Sequence, residues 1–120
     1  MKFKSLLITV LILLFATQAM AVNSVAYSHP VISITTIDSD WDDTEARRVQ
    51  FIICVPGAVD DELVMRQGST TGPLICGKML STDGEARICP VSGSKVDMFL
   101  DYSDSTISSG GSVTILMWEN

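Results

Sequence analysis

Basic side chains are scarce in this chain: 8 lysines and arginines stand against 14 aspartates and glutamates. Nucleic acid is held largely by Lys and Arg neutralising phosphates, and anionic membrane surfaces recruit the same residues, so the charge balance argues against both partners. Histidine occurs once, as His29 beside Pro30. A catalytic triad needs a base held between two partners and a zinc site needs several nitrogen or sulfur ligands, so a lone histidine reads as solvent-exposed or loosely packed. No segment has helical periodicity of useful length, and no apolar run reaches the ~20 residues that a transmembrane helix requires. Cysteine is limited to three positions, Cys54, Cys76 and Cys89.

The N-terminus has a legible purpose. Lys2 and Lys4 precede an apolar block from Leu6 to Ala16, and Ala19-Met20-Ala21 follows, which is the three-part pattern of a secretory signal peptide with an A-x-A cleavage site. Residues 1–21 are therefore expected to be removed, leaving 22–120 as one small domain, secreted to a periplasm, a cell surface or the medium, without a lipid anchor or a membrane span. Removal takes two basic residues and no acidic ones, so six basic face 14 acidic residues, a formal net charge of -8. Export also places the thiols in an oxidising space, where a disulfide persists.

Short runs rich in β-branched residues, separated by turn formers, predict an all-β domain: a small antiparallel sandwich, Ig-like or related, of about seven strands. They are Val31 to Ile37, Val49 to Val55, Leu63 to Gln67, the two arms of a hairpin within Leu74 to Pro90, Val96 to Tyr102, and Val113 to Glu119. Val49 to Val55 is nearly all apolar and reads as the central strand, Leu63 to Gln67 as an edge. Val22 to His29 alternates weakly and reads as a short extra strand or a tail.

The hairpin carries the strongest local signal. A four-residue turn at Ser81-Thr82-Asp83-Gly84 suits a type I geometry closed by a residue at positive φ, and it sets Cys76 opposite Cys89, within the reach of a disulfide. Cys54 is then left over in VQFIICV and reads as an inert core thiol. Pairing with Cys76, Cys89 or a second chain is its alternative.

Candidate sites are few. Asp38, Asp40 and Asp42 match the first acidic positions of a calcium-binding loop, but Asp43 stands where the turn glycine belongs and Val49 where the bidentate glutamate belongs. Calcium is thus a minority expectation, and no other cofactor is implied. Trp41, inside that run, either folds onto the core or stands out as a contact residue. Acidic residues abundant enough for a small hydrolase are present, yet nothing in their spacing pairs two of them in one cleft. The last strand, VTILMWE, is apolar on both faces, with Leu116, Met117 and Trp118 near its end. An uncovered apolar strand invites a partner, so the expected function is a non-enzymatic binding or assembly module that contacts a protein partner or its own copies through strand edges and loops. A secreted inhibitor or toxin-like effector acting through one loop and a small hydrolase using acidic residues are the alternatives.

Overall fold

The computed structural model describes residues 23–91 and 93–118, and every regular element in them is a β-strand. The eight are β1 (Ser24–Ser28), β2 (Val31–Thr36), β3 (Trp41–Val55), β4 (Asp61–Gln67), β5 (Leu74–Ser81), β6 (Arg87–Pro90), β7 (Lys95–Leu100) and β8 (Ser112–Met117). All are paired antiparallel. The signal segment, residues 1–21, and Glu119 at the end of the expected last strand lie outside the described residues.

β3 organises the fold. Its first half, Trp41 to Arg48, pairs with β7, which continues through β4 to β5. Its second half, Val49 to Val55, pairs with β8 on one side and, from Phe51, with β6 on the other; β8 continues through β2 to β1. Two ladders therefore share one strand. Their inner faces meet: Ile32, Ile34, Ile52, Val113 and Ile115 from one pack in a single core with Leu63, Met65, Val96, Met98 and Leu100 from the other. This is the expected all-β sandwich, with eight strands rather than seven. The neighbours β3–β6 and β7–β4–β5 follow the B–E and F–C–C′ order of immunoglobulin-type sandwiches. The last strand departs from that order: β8 lies between β2 and β3, and the first half of β3 takes the place beside β7 where a final strand would sit.

The acidic stretch expected as a loop is strand, because Trp41 and Asp43 point inward on alternate positions while Asp42 and Thr44 are exposed. Between Asp42 and Ala46 the register slips. Such bulges bend and twist a strand, and Arg47 braces this one, its Nε donating to Asp43 Oδ2 at 2.7 Å. Leu63 to Gln67, expected at an edge, is interior, flanked by β5 and β7.

Cys76 and Cys89 are bonded and Cys54 is free and buried. The expected hairpin ladder is absent, however, since β5 pairs with β4 and β6 with β3, in opposite sheets. Cys76 and Gly77 are both at positive φ, 72° and 64°, and together they make an irregularity in β5 opposite the Val64–Met65 step. A non-glycine residue rarely adopts this conformation; here it coincides with the bond to β6, whose Cα lies 6.0 Å away. The bridge thus closes one side of the sandwich instead of clamping two ladder partners. The turn itself is as expected, with Gly84 at φ 78° and Ser81 Oγ donating to the Glu85 carbonyl at 2.6 Å.

The two cysteines are 13 apart in sequence. Loop-closure entropy for that span is about 3 kcal/mol, so Cys76→Ser with Cys89→Ser is expected to lower unfolding free energy by about that amount. Because the bond ties β6 to the opposite sheet, hydrogen exchange should accelerate first at the amides of residues 87 to 89. Uniform acceleration across all strands would contradict a local role.

Candidate functional site

Along each strand of the β1-β2-β8-β3-β6 ladder, alternate residues face the core and the remainder face outward. Register aligns the outward residues in rows. Val31 pairs with Leu116, Leu116 with Phe51 and Phe51 with Pro90; in the next row Ser33, Thr114, Ile53 and Ile88 are neighbours, and Val55 follows beside Ser112. Ile88 is 64% exposed and Val55 40%, while Val31, Phe51, Ile53 and Leu116 are half-buried by their lateral neighbours. Outward positions on β1 are Ser24, Ala26 and Ser28. None of these side chains ionises. Among the described residues, a chain with 14 acidic residues therefore presents one sheet face without a charge, apolar along β3, β6 and the Val31–Leu116 row and hydroxyl-bearing at Ser33, Thr114, Ser112 and along β1.

The residues expected to make contacts are divided by this arrangement. Leu116 lies in the face. Trp118 is exposed just beyond β8, its backbone N donating to the Arg48 carbonyl at 3.0 Å. Met117 points into the core, and Trp41 is only 7% exposed, with its indole Nε1 donating to Tyr27 Oη at 3.3 Å. Both are core residues, because the strand alternation that exposes Leu116 buries Met117, and the alternation that exposes Asp42 buries Trp41. β8 is also not an edge strand; β2 and β3 hydrogen-bond to both its sides. Its outward face, rather than its edge, is what remains open.

Of the three aspartates expected as calcium ligands, Asp40 accepts at Oδ1 from Tyr102 N at 2.7 Å, and Asp38 and Asp42 are exposed; among the described residues no group of three or more His, Cys, Asp or Glu is placed to hold a metal ion.

The buried carboxylates are structural ties. Asp61 Oδ2 accepts from the backbone N of Gly57 at 2.8 Å, Ala58 at 3.2 Å and Ser108 at 2.9 Å, and Oδ1 from Ser108 Oγ at 2.7 Å. Asp101 accepts from Arg66 Nε at 2.8 Å and Ser103 Oγ at 2.8 Å. Burial raises the pKa of each. For Asp61 the Ser108 hydroxyl and the backbone amides outweigh burial, and for Asp101 the Ser103 hydroxyl and the Arg66 guanidinium do so, leaving both below the ordinary carboxylate value. These bonds also hold the Ser103 to Ser112 loop against the sheet, where Thr106 and Glu62 exchange backbone hydrogen bonds at 2.8 Å in each direction. Burial, helped by the Asp61 charge, pushes the Cys54 thiol up to about 11, which keeps it unreactive at neutral pH.

No known family model matches the chain, and no curated protein or solved structure matches it significantly. Among the described residues no helix is long and apolar enough to cross a membrane.

Because Asp61 and Asp101 have lowered native pKa values, the stability they contribute is fully present above about pH 4, the ordinary aspartate value, and is lost as pH falls through the native values. Asp61→Ala leaves three backbone donors without their acceptor and is expected to cost roughly 2–4 kcal/mol at pH 7, with a smaller difference from wild type near pH 2. Thermal unfolding of both proteins between pH 2 and 7 checks this; a constant difference across the range would rule it out.

Proposed function

We propose that the protein is exported and works as a non-enzymatic assembly module, with the outward face of the β1-β2-β8-β3-β6 ladder packing against a second copy of itself. The observation that carries this reading is that, among the described residues, no ionisable side chain lies on that face. With a formal net charge of -8 after loss of residues 1–21, two copies repel one another over most approaches. The charge-free face is where they meet without that repulsion. Apolar sheet faces are buried face to face in sandwiches, and a flat face is self-complementary about a two-fold axis. An apolar patch of a few hundred Å² is the scale at which exposed surface becomes functional. Export is supported by the signal-like N-terminus and by the disulfide, which persists in oxidising compartments.

Light scattering across a concentration series tests this directly. Self-association is expected in the wild type. Replacing Ile53, Ile88 and Leu116 by Thr keeps β propensity and removes about 1 kcal/mol of apolar contact at each site, so the triple variant should associate roughly 100-fold more weakly while staying folded. By contrast, Ile52→Ala, on the inner face, should cost about 2–5 kcal/mol of folding stability. A wild type that remains monomeric at millimolar concentration refutes the self-packing proposal.

A further inference from the structure

Six basic residues follow residue 21, and three are neutralised within the fold: Arg47 by Asp43 and Glu45, Arg66 by Asp101 and Asp104, and Arg87 by Asp83. Among the described residues Arg48, Lys78 and Lys95 have no ion-pair partner, and two of these three meet. Arg48 and Lys95 are direct partners in the β3–β7 ladder, which places their Cβ atoms ~5 Å apart on one face, where like charges repel.

They line a notch of about 150 Å³ together with His29, Met117, Trp118 and the Glu45–Arg47 pair. Its walls are tied by backbone bonds: Met117 N donates to the Pro30 carbonyl at 2.8 Å and Trp118 N to the Arg48 carbonyl at 3.0 Å. Two cationic residues are thus ladder neighbours at the point where β3 passes from one sheet to the other. An anion between them would turn a repulsive pair into two attractive ones. The volume is below the roughly 300–1,000 Å³ of sites for drug-sized ligands, and so suits a single charged group. The acidic remainder of the surface does not forbid this, since at physiological salt charges more than ~8 Å away are largely screened while contacts are not.

We propose that this notch binds an oxyanion, the carboxylate or phosphate group of a small ligand, between Arg48 and Lys95, with Trp118 and Met117 as its apolar flank. This site uses none of the charge-free face residues and goes beyond the assembly reading.

Titration of the protein with inorganic phosphate and, separately, with succinate at constant ionic strength tests the proposal. The readouts are tryptophan emission, where exposed Trp118 responds rather than buried Trp41, and NMR shifts of Arg48, Lys95 and Trp118. Saturable shifts confined to the notch are expected. Saturation by phosphate alone, by succinate alone or by both supports the site and identifies the anion it accepts. Arg48→Gln or Lys95→Gln should each weaken binding at least about fivefold, with the melting temperature unchanged or raised because a like-charge pair is relieved; Lys78→Gln should leave binding unaltered. Shifts that never saturate, or an affinity unchanged in the Arg48→Gln, Lys95→Gln double variant, would overturn it.

Discussion

One strand belonging to two sheets is the constraint from which the rest of this molecule follows. β3 is 15 residues long, and it can serve both ladders only by changing hydrogen-bond partners partway, from β7 to β8 and β6. The change falls between Arg48 and Val49, with an irregularity on either side of it, one between Asp42 and Ala46 in the β7 ladder and one between Val49 and Phe51 in the β8 ladder. Bulged strands bend and twist more than regular ones, and this bend brings the two inner faces together around Ile52, Met98 and Leu100. It also requires a brace, which Asp43 and Arg47 supply with the Arg47 guanidinium 5.7 Å from the Tyr27 ring centroid. On the opposite side the Cys76–Cys89 bond joins the sheets that β3 joins covalently at the bend.

With β8 between β2 and β3, the five-stranded ladder carries apolar side chains on its outward face, at Val31, Phe51, Ile53, Ile88 and Leu116, as well as on its inward one. The inward side is the core. The outward side has no second layer among the described residues, and its freedom from charge is unusual beside loops that carry Asp38, Asp60, Asp83 and Asp104. Those loops hold much of the acidity, and where a carboxylate is buried it ties loop to strand, as Asp61 ties Gly57, Ala58 and Ser108. Charge and apolar surface are therefore segregated, a division that suits contact through one face and solubility elsewhere.

Much of this was legible in the residues. Period-two alternation places Val113, Ile115 and Met117 on one face of the last strand and Leu116 on the other, and the β-branched runs mark β2, β4, β7 and β8 to within two residues. Cysteine spacing and turn chemistry located the disulfide. What escaped was non-local. Alternation does not say which ladder a strand joins, so local turn chemistry pairs the hairpin arms with each other although in the fold they pair with β4 and β3. The positive φ at Cys76 left no mark that a reader would separate from an ordinary Cys-Gly pair. Trp41 and Asp43 hid an inward-facing alternation among exposed carboxylates, and the ladder pairing of Arg48 with Lys95, 47 positions apart in the numbering, depends on a register that only the folded chain supplies.

Hydroxyl-radical footprinting as a function of protein concentration tests most directly whether the charge-free face is covered by a second copy. Face-to-face packing predicts that Phe51, Ile53, Ile88 and Leu116 become protected as concentration rises, while Val59 and Tyr102, exposed outside that face, react at a constant rate. Face residues that remain equally reactive from micromolar to millimolar protein would contradict it.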